Sequence, residues 1–184
     1  MAMIDSFIET TGKWIVKTDA SATLASPLAW VRKTGSYAAV NKLIGTLIPF
    51  ATRNRFSVEE LGPGYVRAKI RLKGNKNHFG SLYAGAYFVV AEIPGGVLTL
   101  FDLGPAYTPI LKEMTLQFLK PANSDVTVEF SLPPETLQSI LSDADATGRA
   151  KFTLEGHMHD EQGNHVATSV AHYRVKKKGF SPAD

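Results

Sequence analysis

Hydrophobic and polar positions alternate with a period of two from about residue 54 onward. The clearest run is 65–73, where Val66, Ala68, Ile70 and Leu72 are separated by Tyr65 and four basic residues. This alternation predicts a half-buried antiparallel strand with one solvated face. Further strands are predicted at 54–61, 110–120, 125–131, 150–159 and 165–176, the last of them central in its sheet because it is small or apolar on both faces.

Other segments have helical spacing. Residues 1–50 are loosely amphipathic, and a stripe of Ala39, Leu43, Leu47 and Ile48 predicts helix. Ser81 to Ala91 is apolar all round, which predicts a buried helix with Ser81 as its N-cap. Pro94 and the two glycines after it are expected to bend or break that helix. A short helical excursion is expected at 135–142.

The order of these elements predicts an α+β fold. Two strands, one apolar helix and four further strands follow one another, so a strongly curved sheet has to wrap the helix. We expect three parts: an N-terminal helical extension at 1–53, too short to own a core, a domain at 54–178 and a tail at 179–184.

Composition narrows the functional classes. The 184 residues contain no cysteine, which excludes thiol chemistry and fits a reducing, cytoplasmic setting. A net charge of +3 is too small to indicate a nucleic-acid partner. The N-terminus carries Asp5 and Glu9 and lacks the basic region of a signal peptide. The apolar stretch 79–101 is not expected to span a membrane, because Glu92 near its centre would cost on the order of 3 kcal/mol there.

Glu92 is therefore the most informative residue. It is the only charge between Lys76 and Asp102. A buried carboxylate is paired, protonated or functional, so Glu92 is either a general base or nucleophile with a raised pKa or a helix-end residue that points into solvent. The loop 77–81 precedes the helix N-terminus, where free N–H groups can bind an oxyanion, although a loop Asn such as Asn77 is commonly a turn former.

A family resemblance rests on these residues. The pattern Asn77-x-x-Gly80-Ser81-x-Tyr83-Ala84-Gly85, followed by Glu92, resembles Asn-x-x-Gly-Thr-x-His-Gly-Gly and then Asp or Glu in the PaaI-type hotdog-fold acyl-CoA thioesterases. The segment 115–122, with Lys120-Pro121, is similar to a strand of that family that ends in Arg/Lys-Pro. The resemblance covers about residues 54–177, and the altered motif is closer to the divergent DUF4442 branch.

The resemblance implies a fold, a substrate and residue roles. It implies a curved hotdog sheet around a central helix, a homodimer or dimer of dimers with two interface sites, and an acyl-CoA or acyl-carrier thioester substrate. No metal or other cofactor is implied, since coenzyme A is part of the substrate. Glu92 would activate water or attack the thioester, Asn77 would position the water or the carbonyl, and the Ala84 N–H would bind the oxyanion. The predicted substrate-binding positions in and after the loop are His78, Gly80, Ser81 and Gly85.

Departures from the family pattern leave alternatives open. Tyr83 stands where the family has His, so it either offers a hydroxyl or fills the pocket, and Ala84 replaces a glycine. A non-catalytic acyl-ligand binding protein is therefore the rival to a thioesterase, and a hotdog dehydratase is disfavoured because no His–acid pair is visible.

Basic and histidine clusters give weaker signals. The basic residues Arg174, Lys176, Lys177 and Lys178 either bind the phosphates of coenzyme A or form a solvated terminus. His157 and His159 are expected to form a surface turn rather than a metal pair, and His78 and His172 are further candidates to approach the site.

Overall fold

The computed structural model describes residues 36–180, so the part of the predicted extension before Ser36 and the last four residues of the predicted tail lie outside it. The side chains of Ser36 and Ala39 are also outside the description. The elements, in chain order, are α1 (Ser36–Leu47), α2 (Pro49–Arg53), β1 (Phe56–Gly62), β2 (Tyr65–Ile70), α3 (Ala84–Leu103), β3 (Tyr107–Phe118), β4 (Val126–Ser131), α4 (Pro134–Thr147), β5 (Arg149–Asp160) and β6 (His165–Lys177).

The six strands form one antiparallel sheet in the order β1-β2-β4-β5-β6-β3. Alternation along β2 buries Val66, Ala68 and Ile70 completely, as predicted. β6 lies between β5 and β3, which confirms that it is an interior strand. We call the face that packs on α3 the inner face and the opposite face the outer face. The α+β class with a curved sheet around one long helix is confirmed.

The central helix differs from the prediction at both ends. α3 begins at Ala84 with Tyr83 in the N-cap position, and it continues through Pro94 to Leu103 without a break. Ser81 is not the N-cap; it is buried in the preceding loop. A helix enclosed by a sheet is held by packing, and this packing outweighs the hydrogen bond that proline removes.

α3 is also not buried on every side, because Phe88 is 43% exposed. Ala84–Leu103 has the length and hydropathy of a membrane span, but 67% of its most apolar window is buried inside the protein.

The helix α1 is hydrogen-bonded to β1, an edge strand of the sheet. The Asn41 side chain donates to the Val58 carbonyl at 2.9 Å and accepts from the Val58 N–H at 2.7 Å, as a neighbouring strand would. Val40 and Ile44 are buried beside it. Because β1 is an edge strand, these bonds satisfy backbone groups that would otherwise be open to another chain.

A half-buried acid, Asp102, joins the end of α3 to the β1–β2 turn. The Asp102 carboxylate accepts from the Gly64 N–H at 3.1 and 3.2 Å, and burial raises the pKa of Asp102 to about 6. Gly64 has φ of +64°, and a Cβ there would lie 2.2 Å from the Leu132 carbonyl oxygen, so the turn requires glycine. Asp102 therefore anchors the turn at an electrostatic cost.

Substituting Asp102→Asn is expected to stabilise the protein at neutral pH. A pKa raised from 3.8 to about 6 means that the folded state favours the protonated acid. The contribution of Asp102 to the free energy of unfolding is fully present below pH 3.8 and is lost as the pH rises through 6. The loss is at most about 3 kcal/mol. Urea unfolding from pH 3.5 to 8 should show the variant's advantage growing over this window.

Asp160 gives the matched control for that substitution, because hydrogen bonds from Asn164 hold its pKa below the usual value. Asp160→Asn should therefore lose stability at neutral pH. A difference between Asp102→Asn and the wild type that does not change with pH would contradict the assignment.

Candidate active site

The loop between β2 and α3 is held rigidly before the helix begins. Asn75 is buried, and its amide donates to the Asn54 and Arg71 carbonyls, both at 2.7 Å. The Asn75 carbonyl accepts from the Tyr83 N–H, and the Leu82 N–H donates to the Ala122 carbonyl. The backbone that carries Asn77 is therefore held on both sides by these hydrogen bonds.

Asn77 is partly engaged in shaping this loop. Its side-chain oxygen accepts from the Phe79 N–H at 2.9 Å, and its Nδ2 donates to Ser81 Oγ at 2.9 Å. The turn-forming interpretation of Asn77 thus accounts for these two hydrogen bonds. A primary amide has two N–H donors, so one remains available to a bound molecule.

The start of α3 supplies two more donors. The first residues of a helix have no intrahelical partner for their N–H groups, and within the described residues the N–H groups of Ala84 and Gly85 donate no backbone hydrogen bond. Ala84, Asn77 and Ser81 line a cavity of about 350 Å³ with Phe118 and Lys120. We call this the loop cavity.

Other loop residues lie around the loop cavity rather than in it. Tyr83 is 58% exposed, and its ring covers Gly85 so closely that a Cβ on Gly85 would lie 2.6 Å from it. His78 is exposed and its ring lies 3.8 Å from that of Phe79. Gly80 is exposed in the loop with φ of +87°. None of Tyr83, His78, Gly80 and Gly85 is among the residues that line the loop cavity.

Glu92 lies half-buried on α3, beside a second cavity of about 210 Å³. We call this the helix cavity; Glu92 is the one charged residue among its described lining residues. Burial raises the pKa of Glu92, and within the described residues burial is the only cause. The carboxylate is therefore poised to take up a proton more readily than an ordinary Glu.

Tyr173 supports the backbone at Glu92. Its hydroxyl donates to the Glu92 carbonyl at 2.9 Å, and its ring stacks on Phe152 with centroids 5.1 Å apart. The ring lies against Gly95, where a Cβ would be 2.2 Å from the hydroxyl oxygen. This buried tyrosine fixes the turn of α3 that carries the carboxylate.

The loop cavity and the helix cavity are separate within one chain. They share no lining residue. Ala84 and Glu92 are eight residues apart on one helix, which corresponds to roughly 12 Å along its axis. The Ala84 N–H and the Glu92 carboxylate of one chain therefore lie at different cavities.

The basic residues at the end of β6 do not form one site. Tyr173 and Val175 face the inner side, so Arg174 and Lys176 face outward. Arg174 lines a depression of about 380 Å³ with Lys112, Lys151 and His172. Lys177 forms an ion pair with Asp145 at 2.8 Å. These residues are not brought beside Asn77 or Glu92 of their own chain.

The histidines form contacts among themselves. The rings of His157 and His159 each lie about 5 Å from that of His165, at 5.3 and 5.2 Å. Among the residues described here, no group of three or more His, Cys, Asp or Glu side chains is arranged to hold a metal ion. His172 pairs with Thr153 at 2.9 Å on the outer face and does not approach Glu92.

Several site residues were missed from the sequence. Tyr87 lines the loop cavity, and its ring meets that of Phe118 edge-on at 5.3 Å. Burial raises the pKa of Tyr87. Neither residue carries a signal that separates it from an ordinary core aromatic. The contact of Tyr173 with Glu92 was not predicted, because in the sequence Tyr173 stands beside the basic residues of β6.

Known proteins place these features in a family. The DUF4442 model, described as a domain of unknown function, matches residues 36–175 and so includes α1 and α2. A Pseudomonas aeruginosa protein of unknown function, named "Probable Thioesterase", is 42% identical with a TM-score of 0.73, covering 76% of this chain and 95% of its own. No curated protein matches the chain.

More distant structures share the fold. A thioesterase from Haemophilus influenzae is 14% identical with a TM-score of 0.63, and the match covers 80% of this chain and 94% of the other. A mutant thioesterase from Staphylococcus aureus is 15% identical with a TM-score of 0.56, covering 70% and 98%. The chain belongs to the DUF4442 family and to the hotdog-fold thioesterase superfamily.

Proposed function

We propose that this protein hydrolyses acyl thioesters, with acyl-CoA as the substrate class and Glu92 as the catalytic carboxylate. The observation that carries the proposal is the raised pKa of a half-buried Glu92 that faces an apolar cavity on the central helix. The name of the 42% identical Pseudomonas aeruginosa protein supports the same reaction class. A carboxylate in this setting suits general-base or nucleophilic catalysis.

The reaction needs only a base, water and an oxyanion site. As general base, Glu92 takes a proton from water while the oxygen of that water bonds to the thioester carbon. Collapse of the tetrahedral intermediate breaks the C–S bond, and the leaving thiolate recovers the proton from Glu92. In the nucleophilic alternative the Glu92 carboxylate attacks the thioester carbon, and the C–S bond breaks to release the thiolate and leave a mixed anhydride. Water then hydrolyses the anhydride, which regenerates Glu92 and supplies the proton that the thiolate takes up. Neither route requires a metal ion or a cofactor besides the coenzyme A of the substrate.

The oxyanion would be held at the start of α3. Ala84, whose N–H group has no backbone partner among the described residues, and Asn77, which keeps a spare amide N–H, both line the loop cavity. Such preorganised donors stabilise the developing charge. Within a single chain the loop cavity and Glu92 are apart. The proposed site therefore combines the loop cavity of one copy with Glu92 of a second copy in a symmetric homodimer, alone or within a dimer of dimers.

Hydrolysis of a panel of acyl-CoAs by the wild-type protein, followed by release of free thiol, tests the proposal. We expect turnover with at least one acyl chain. Absence of turnover with every chain, together with tight acyl-CoA binding, would overturn the proposal in favour of a non-catalytic acyl-binding protein. The covering of Gly85 by Tyr83 is the feature that favours this second function.

The depression on the outer face that Arg174 lines with Lys112 and Lys151 is the proposed binding site for the phosphates of coenzyme A. The bound ligand would cross the β3 edge to reach it. Arg174→Gln is then expected to raise KM for an acyl-CoA about fivefold, since a half-exposed ion pair contributes up to ~1 kcal/mol. KM for the matching acyl-pantetheine, which lacks the nucleotide phosphates, should not change. The measurement is steady-state kinetics with both substrates.

Lys42→Gln is the matched control, because Lys42 is an exposed cation on α1 outside this depression. Equal effects of Arg174→Gln on the two substrates would assign the basic cluster to the solvated surface instead.

A further inference from the structure

The helix cavity is built from elements on two sides of Glu92. Leu43, Ile44, Leu47 and Ile48, at the end of α1 and just after it, form one wall, and α3 forms the other with Val97 and Leu100 among others. Pro109 of β3 closes part of the floor. The lining is almost wholly apolar, so ordered water is held poorly and an apolar ligand is favoured.

The wall formed by α1 is fixed in place. Asn41 binds both backbone groups of Val58, and Val40 and Ile44 are 5% and 7% exposed. Leu47 is 41% exposed, so one end of the helix cavity opens towards solvent past this residue. The cavity therefore has a rigid side and an open end.

The direction of the cavity follows from the spacing on α3. Glu92, Gly96 and Leu100 recur every four residues and line one stripe of the helix. A Cβ on Gly96 would meet nothing within 4 Å. The cavity thus runs from the carboxylate towards the C-terminal end of α3, away from Ala84.

We propose that the helix cavity binds the acyl chain of the substrate, with the carbonyl at Glu92, the chain beside Gly96 and α1 as the limiting wall. This inference rests on the proposed function. An apolar cavity of roughly 150 Å³ accommodates benzene. On that scale the 210 Å³ here suits a straight chain of about eight carbons. The cavity is therefore expected to bind up to about eight carbons of the acyl chain.

Chain-length profiles test the proposal. The kcat/KM for acetyl-, butyryl-, hexanoyl-, octanoyl-, decanoyl- and lauroyl-CoA should rise by up to about fourfold per methylene, which corresponds to ~0.8 kcal/mol, and should level off near octanoyl-CoA. Gly96→Leu fills the cavity and should lower the octanoyl-to-acetyl ratio of kcat/KM at least tenfold. Leu47→Ala widens the open end and should extend the rise to longer chains.

Thr46→Leu is the matched control, since it adds the same side chain to an exposed position of α1 outside the cavity. Its chain-length profile should equal that of the wild type. A flat wild-type profile, or a Gly96→Leu profile that equals the wild type, would overturn the proposal.

A binding measurement separates this inference from the proposed function. Calorimetric titration of octanoyl-CoA into Glu92→Gln, with and without Gly96→Leu, requires no turnover. Binding that Gly96→Leu weakens at least tenfold supports the acyl-chain site even if no thioester is hydrolysed. Binding that is unaffected by Gly96→Leu would overturn the acyl-chain site even if hydrolysis is observed.

Discussion

Glu92→Gln is expected to lower kcat for acyl-thioester hydrolysis by at least about 100-fold without unfolding the protein. General-base catalysis contributes roughly 10² to 10⁴ in rate, and a neutral amide of the same shape cannot accept the proton of water. Because burial is the only described cause of the raised pKa of Glu92, the substitution removes no described ion pair. Thiol-release kinetics and thermal melting of both proteins measure the two effects.

The matched control for Glu92→Gln is Glu113→Gln, which neutralises an exposed carboxylate on β3. This variant should keep the wild-type rate. A Glu92→Gln enzyme as active as the wild type would remove Glu92 from the mechanism.

The same carboxylate should set the acidic limb of the pH profile. A general base works when deprotonated, so kcat/KM should rise with pH through the pKa of Glu92. Since burial raises this pKa above its model-compound value of 4.5, the limb should lie above pH 4.5.

Gly95→Ala is expected to destabilise the fold by about 1–3 kcal/mol or more. The new Cβ would lie 2.2 Å from the Tyr173 hydroxyl oxygen and 2.3 Å from the adjoining ring carbon. The ring is stacked on Phe152 and 3% exposed, so it has no free space to enter. Overpacking of a dense core carries such costs. Chemical unfolding of the variant and the wild type measures the loss.

The neighbouring glycine provides the control. Gly96 has open space at its Cβ position, so Gly96→Ala should stabilise the helix by about 0.5–1 kcal/mol, the usual gain for a helical interior. If Gly95→Ala were as stable as Gly96→Ala, the packing of Tyr173 against α3 would be wrong.

The fold was largely predictable from local pattern, with an exception at the central helix. The alternation in β2 placed Val66, Ala68 and Ile70 in the core because a half-buried strand requires it. Of the bend or break expected at Pro94, the break does not occur, because a local rule counts the lost hydrogen bond and omits the enclosing sheet. That enclosure depends on strands distant along the chain, such as β6, whose Tyr173 lies 81 residues from its hydrogen-bond partner Glu92.

The sequence proposed candidate residues for the site but not their arrangement. Motif spacing identified Asn77, Ala84 and Glu92, and the structure adds that the first two lie in a different cavity from the third. Sequence order cannot show this separation, since it depends on which side of α3 each neighbouring element covers. The contribution of α1 depends on the bonds from Asn41 to Val58, which no local pattern predicts.

Complementation between two inactive variants tests the central claim most directly. Asn77→Ala and Glu92→Gln are each expected to lower the rate of thioester hydrolysis strongly, and co-expressed chains with separate affinity tags allow the mixed dimer to be isolated. In that dimer one of the two sites retains both an intact Asn77 and an intact Glu92, so about half of the wild-type rate per dimer should return. A mixed dimer as inactive as its two parents would contradict a site shared between copies in which Glu92 performs the hydrolysis.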